Sequence, residues 1–330
     1  MALYLTEDDV AQALTMADTL DAVEASLREQ GLGVATNLSR SRLRAPRSLP
    51  PGLGAVTPGR SILNLMGGVL PGLGVLGYKA YMVTPKGVRF QIFLYSLDSG
   101  ALLAILEANR IGQLRTGAAS GVATKYLARP DAATVGVYGT GYQARGQVEA
   151  VCAVRPVRRV VVYGRNPERR ALFCAEMQAA TGVEVVPAER PEDVARGADI
   201  VVTITTSRDP VLEGAWLEPG AHINAAGSNA LIRREIDDEA VRRSSRIFAD
   251  SVEQARLECG DLFGPAERGL LNWSQVRELA EVVAGRAPGR EHAEEITLFE
   301  SHGMGIWDVA AAARAYQHAQ DRGLGMQLPF

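Results

Sequence analysis

Apolar residues recur at three- and four-residue steps over residues 8–30, at Val10, Ala13, Leu14, Leu20, Val23 and Leu27, which predicts an amphipathic helix. The stretch 39–59 is rich in Arg, Pro and Gly and reads as a loop. Four extended segments follow, 61–66, 77–83, 90–96 and 101–107. The last two flank Asp98-Ser99-Gly100, a hairpin signal, so this region is expected to be antiparallel. The glycine-rich run 66–77 is read as a connection, because no helix pattern follows it. From about residue 132 the pattern changes to short β-branched runs separated by helical stretches, at 134–138, 159–163, 184–187, 200–203, 222–226 and 247–250. Strands separated by helices imply right-handed crossovers and a parallel sheet. A final amphipathic helix is expected over 306–320, folding back onto the first region.

The predicted fold is therefore α/β: a Rossmann-type parallel-sheet domain at 131–303 and a second, α+β domain at 1–130, with 304–330 packing back on it. The chain has 330 residues, long enough for two domains with full cores. Its 47% hydrophobic and 22% charged composition is that of an ordinary soluble protein. A formal net charge of −3, with Lys and Arg not gathered into a run, gives no reason to expect nucleic acid or an anionic membrane as partner. Cys152, Cys174 and Cys259 stand far apart with no histidine at ligand spacing, which argues against a metal site or a disulfide framework. The chain opens without a basic segment leading into an apolar run, and no apolar stretch reaches the roughly 18 residues of a membrane span, so a cytoplasmic protein acting on small molecules is expected.

The segment TVGVYGTGYQARG, from Thr134 to Gly146, joins a buried-strand pattern to a glycine turn and a helix start. Gly139, Gly141 and Ala144 have the Gly-x-Gly-x-x-Ala spacing of dinucleotide binding: the first permits the tight turn, the second lets the backbone approach a pyrophosphate, and the third keeps helix and strand close. Thr140 and Tyr142, within the same turn, are candidate cofactor contacts. After the next strand, where NAD enzymes usually place an acid about 20 residues past the glycines, this chain has Gly164, Arg165 and Asn166. Arg165 can pair with a 2′-phosphate, and no carboxylate repels one, so NADP(H) is favoured, with NAD(H) the alternative.

Groups suited to the crevice at the carboxyl ends of the strands are Arg42 and Arg44 in the early loop, Lys79 inside a β segment, and Arg115 with Thr116 before a run of small residues. A strand lysine is usually solvated. An arginine at a helix start implies an anion nearby, because the dipole there is positive. The turn Asn224-Ala225-Ala226-Gly227-Ser228-Asn229 ends a strand, and Ala226 and Gly227 can lie against a flat nicotinamide ring.

Together these segments resemble the ornithine cyclodeaminase and mu-crystallin family over nearly the whole chain, most specifically in Leu114-Arg115-Thr116-Gly117-Ala118-Ala119-Ser120. The resemblance implies that Arg115 grips a substrate α-carboxylate, with Arg42 its partner and Arg44 the fallback. It implies that Lys79 is the catalytic lysine beside an imine or amino nitrogen. Thr116, Gly139, Gly141, Gln143, Arg165 and Asn166 resemble the family's cofactor contacts, and a homodimer through the sheets of the first domain is implied, covering an edge such as 90–96. Where the cyclodeaminases carry an aspartate, this chain has Asn229, which cannot serve as a general base; Asn64 stands near the position of the acid that partners the early arginine. The expected activity is NADPH-dependent reduction of α-imino acids and cyclic ketimines, or L-amino acid dehydrogenation in reverse. Asn229 would orient substrate or water. Ornithine cyclodeamination and a non-catalytic, NADPH-bound ligand carrier are the alternatives.

Overall fold

The structure is a computed structural model that describes residues 2–45 and 61–329. Contacts divide the chain into two compact units, one taking in the residues up to Ala22, Gly33–Gly112 and those from Met304 onward, the other Val23–Leu32 and Gln113–Gly303. The division falls after Gly112, inside a long helix, Asn109–Leu127, where the sequence had suggested a boundary near residue 130.

In the first unit the described residues form β1 (Leu3–Leu5), β2 (Thr36–Arg44), β3 (Ile62–Leu70), β4 (Val75–Thr84), β5 (Gly87–Ser96) and β6 (Leu102–Glu107). Their sheet runs in the order β1-β6-β5-β4-β3-β2, with the short strand Met326–Gln327 outside β1. The expected antiparallel pairing holds from β2 to β6, but β1 lies parallel to β6. Residues 39–44 are not loop: they belong to β2, whose Thr-Asn-Leu-Ser-Arg-Ser-Arg run conceals its extended form. The remainder of that expected loop, 46–59, lies outside the described residues. β3 continues through Gly67 and Gly68, so the connection shrinks to a turn at Pro71–Leu73. A Cβ on Gly68 would stand 2.8 Å from Ile306 Cα, so glycine there lets the helix Gly305–Arg322 settle directly on the strand. The 90–96 segment is no edge either, since β5 is paired on both sides.

Alternation gives this sheet two different faces. Met66, Leu70, Ile92, Leu94, Ala104 and Leu106 are buried on the face covered by Gly305–Arg322. The opposite face carries Tyr78 stacked on Phe93 at 4.9 Å, together with Leu38, Leu43 and Met82, which are 53%, 62% and 41% exposed.

The second unit is a parallel sheet flanked by helices. Its strands are β7 (Thr134–Tyr138), β8 (Arg159–Tyr163), β9 (Glu184–Pro187), β10 (Ile200–Thr203), β11 (His222–Ala225), β12 (Arg246–Ala249), β13 (Val276–Glu278) and β14 (Thr297–Glu300). The order among the described residues is β13-β12-β14-β11-β10-β7-β8-β9, so the chain reverses direction across the sheet between β7 and β10. That is the topological switch point at which open α/β sheets bind ligands. Val135, Val137, Val160, Val162, Ile200 and Val202 form one core of this unit. β13 and β14 escaped the sequence reading.

Candidate active site

Gly139 leaves β7 with φ +116°, a conformation L side chains rarely adopt, and a Cβ there would stand 2.4 Å from the carbonyl oxygen of Ile204. The helix Tyr142–Val154 follows at once, capped by Gly141 with no side-chain hydrogen bond. Nothing lies within 4 Å of a Cβ built on Gly141, so the amide end of the helix opens onto space. Ala144 is fully buried, and Gln143 keeps a buried Oε1 with no hydrogen-bond partner. An open glycine cap and the amino end of a helix at the switch point fit a dinucleotide pyrophosphate. Tyr142 is 43% exposed, its carbonyl accepting a 2.6 Å hydrogen bond from Gln113 Nε2.

Gly164 follows β8, and Thr140 packs against it: a Cβ on Gly164 would meet Thr140 Cγ2 at 2.9 Å. Arg165 is exposed at the strand's end. Asn166 has a local duty, for it caps the helix Pro167–Thr181 by accepting a 2.8 Å bond from the Arg169 amide. Arg170 is buried, sits over the Tyr163 ring and donates to the Gly164 carbonyl, so it supports the turn.

On the other side of the switch point, sequence reasoning missed Glu235. Its carboxylate accepts from the Thr205 amide at 2.5 Å and the Gly227 amide at 2.7 Å, tying together the carboxyl ends of β10 and β11. Burial pushes its pKa up to about 7, with the nearby Asp261 adding to the shift and the two amides opposing it. The Gly227 N–H is thus already spent on Glu235, and a Cβ there would strike that carboxylate at 2.5 Å. Ala226 is half-buried beside it, and Asn229 is exposed beyond it.

Arg115 does not begin its helix. It is the seventh residue of Asn109–Leu127, so the helix-start argument for an anion falls away. The residue is nonetheless 9% exposed, with its guanidinium packed beside Gly303 in the loop after β14, at the carboxyl edge of the sheet. Gly117 makes this placement possible: a Cβ on it would stand 2.1 Å from the Gly146 carbonyl oxygen, so this helix and the glycine-turn helix touch backbone to backbone. The Thr116 carbonyl accepts from Gln147 Nε2 at 3.2 Å across the same contact.

In the first unit, Lys79 is not a solvated strand lysine. It is 2% exposed, on the face under Gly305–Arg322, and donates a 2.7 Å hydrogen bond to Asp308 Oδ2 on that helix; its ammonium also lies 5.7 Å from the Tyr81 ring centroid. Arg42 pairs in register with Asn64, and Asn64 with Tyr81, so Arg42, Asn64 and Tyr81 occupy one cross-strand row, next to Lys79 on the same face. Arg42 is half-buried and Asn64 is 4% exposed, whereas Arg44 is exposed. Asp308 had no signal beyond a lone carboxylate in the apolar run Gly-Ile-Trp-Asp-Val-Ala.

A parallel sheet with an open Gly-x-Gly-x-x-Ala turn at its switch point defines a dinucleotide-binding protein of the Rossmann class. More specifically, the chain belongs to the ornithine cyclodeaminase/mu-crystallin family, whose sequence profile matches residues 2–323, as the Arg115-Thr116 block had indicated. It is 36% identical over 274 residues to the Delta(1)-pyrroline-2-carboxylate reductase of Bacillus cereus, covering 81% of this chain and 84% of that protein. The solved Delta(1)-pyrroline-2-carboxylate reductase of Thermococcus litoralis, in complex with NADH and L-proline, superposes with a TM-score of 0.90 at 35% identity, over 99% of this chain and 100% of that one. An archaeal alanine dehydrogenase dimer with bound NAD gives a TM-score of 0.89 at 31% identity, over 100% of this chain and 99% of that one. Among the described residues, no helix is long and apolar enough to cross a membrane.

Proposed function

We propose that this chain reduces α-imino acids, cyclic ketimines included, with NADPH as the hydride donor, or equivalently oxidises an L-amino acid in the opposite direction. The observation that carries the reading is the buried Lys79–Asp308 pair. Taking two charges out of water costs several kcal/mol per ion before their attraction is counted, so such a pair is weak evidence for stability and stronger evidence for use. Arg115 and Arg42 take the substrate carboxylate. Lys79 donates to the imine nitrogen and gives it a proton as it becomes an amine, while Asp308 holds the lysine in place. When bound, the nicotinamide supplies a hydride to the imine carbon. Gly139, Gly141 and the amides of the following helix hold its pyrophosphate, Thr116 and Gln143 supply further contacts, and Arg165 favours the 2′-phosphate of NADPH over NADH.

Asn229 is neutral and exposed, which speaks against the proton transfer at a second nitrogen that cyclodeamination requires. The protein acts as a cytoplasmic homodimer: its cysteines are unpaired, and the apolar Tyr78–Phe93 face of the first unit's sheet is a large surface for a second copy to cover. The reading is tested by following NADPH oxidation with pyrroline-2-carboxylate, piperideine-2-carboxylate, and pyruvate with amines, with ornithine as a control. Turnover of a cyclic imine supports it. Proline and ammonia from ornithine without net NADPH consumption would replace it with cyclodeamination, and cofactor binding without turnover of any substrate would replace it with a carrier.

A further inference from the structure

Three buried side chains from separate elements of the second unit meet where the sequence showed no ligand spacing. Cys259 lies at the junction of the helices Val252–Glu258 and Gly260–Glu267, Glu300 ends β14, and His302 follows in the next loop. Their ligating atoms all lie within 4.8 Å of one another. Glu300 is 2% exposed, and its Oε1 has no hydrogen-bond partner. Asp261, 1% exposed, adds an Oδ2 in the same condition, its other oxygen accepting from the Glu235 and Ile236 amides. Orphaned carboxylate oxygens at this depth are costly unless something occupies them.

The histidine is set up as a ligand. Its Nδ1 faces Asp250 Oδ1 at 3.3 Å, while Asp250 Oδ2 accepts from the His302 and Gly303 amides at 2.6 and 2.7 Å. A carboxylate on one ring nitrogen directs the other toward a metal, the usual support of a metal-bound histidine. The charges also balance: a thiolate, a carboxylate and a neutral imidazole cancel a divalent cation, leaving a neutral complex. Sulfur, nitrogen and oxygen donors in this number suit zinc rather than magnesium or calcium.

We propose that Cys259, Glu300 and His302 form a binding site for a zinc-class divalent cation, which pins the loop from Ser301 to Gly303 against which Arg115 packs. Metal binding to a buried thiol and carboxyl displaces their protons.

The test uses the full chain, stripped with a chelator and then titrated with zinc, and separately with cobalt. The expected result is one zinc retained per chain after gel filtration, a zinc-dependent rise in melting temperature, and a thiolate-to-cobalt charge-transfer band in the near ultraviolet. Cys259→Ser should abolish that band, and Cys259→Ser and Glu300→Gln should each weaken zinc binding by about 100-fold or more, the upper end of what even the loss of an outer-shell partner costs. Should Cys259→Ser fail to fold, Glu300→Gln, which keeps the side chain's shape, and the cobalt spectrum of the unaltered chain decide the matter. Absence of stoichiometric zinc, or identical zinc titrations for the unaltered chain and Glu300→Gln, overturns the proposal.

Discussion

The ammonium of Lys79 lies 2.7 Å from Asp308 Oδ2, and the two side chains are 2% and 0% exposed. β4 supplies the cation and the helix Gly305–Arg322 the anion, so the first unit holds a buried ammonium in a defined position under its own helix. Lys79→Ala is expected to lower imine turnover by roughly 10²–10⁴-fold, the range for loss of a positioned acid or base, while leaving NADPH affinity nearly unchanged. Steady-state rates together with a fluorescence titration of NADPH check both halves. Unchanged turnover removes Lys79 from the chemistry.

The same pair makes a stability prediction. Asp308→Leu or Lys79→Met alone removes one partner of a buried ion pair and should cost about 3–5 kcal/mol, whereas the double substitution Lys79→Met with Asp308→Leu should recover most of that loss. Urea unfolding of the three variants gives the coupling directly. Additive losses would mean that the two side chains do not share their charge in solution.

How far the sequence revealed this molecule depended on range. The glycine turn was legible because its parts are consecutive: Thr134–Tyr138, Gly139 and Gly141 state strand, turn and helix within a dozen residues. β2 was hidden because polar and charged residues outnumber its leucines and mask the alternation by which strands are recognised, and β13 because three residues are too few to show a period. Asp308 stands 229 positions from Lys79, and Glu235 caps amides 30 and 8 positions away, so neither relationship has a local trace. Arg42 and Asn64 were singled out only through family resemblance; the β2–β3 register sets the two residues side by side.

Two glycines separate folding from binding. Gly117→Ala forces a methyl to within 2.1 Å of the Gly146 carbonyl oxygen and should destabilise the chain by about 2 kcal/mol or more, because both neighbours are backbone. Gly141→Ala meets nothing within 4 Å, so its melting temperature should stay close to that of the unaltered chain while dinucleotide affinity falls, the new methyl occupying pyrophosphate space. Calorimetry with a cofactor titration distinguishes the two, and a Gly141→Ala protein that binds NADPH normally would place the pyrophosphate elsewhere.

Arg165 projects from the end of β8 with no acidic residue beside it in sequence, and its replacement tests cofactor choice. Arg165→Ser should raise the KM for NADPH by about 10-fold or more, as expected for loss of a charge-assisted bond to phosphate, and leave that for NADH unchanged. Equal effects on both cofactors would assign Arg165 to the part of the dinucleotide that they share.

His222 sets an acid limit on the second unit. It is fully buried between Thr297 Oγ1 at 2.9 Å and Asn224 Oδ1 at 3.3 Å, and burial first, then the Arg290 and Arg155 charges, pull its pKa down to about 3. In the unfolded chain the imidazole regains an ordinary value near 6.5. The unfolded state therefore binds more protons between these values, and the stability His222 contributes is complete above about pH 6.5 and is lost as the pH falls toward 3. The slope should approach about 1.4 kcal/mol per pH unit, or roughly 2 kcal/mol between pH 7 and pH 5. His222→Gln keeps hydrogen-bonding capacity without the titration. Its unfolding free energy should be lower at neutral pH but flatter toward acid, so that urea unfolding at pH 7, 6 and 5 shows the gap to the unaltered chain narrowing. Parallel pH profiles would mean that His222 is protonated in the folded protein, and that its burial is relieved by a partner other than Thr297 and Asn224.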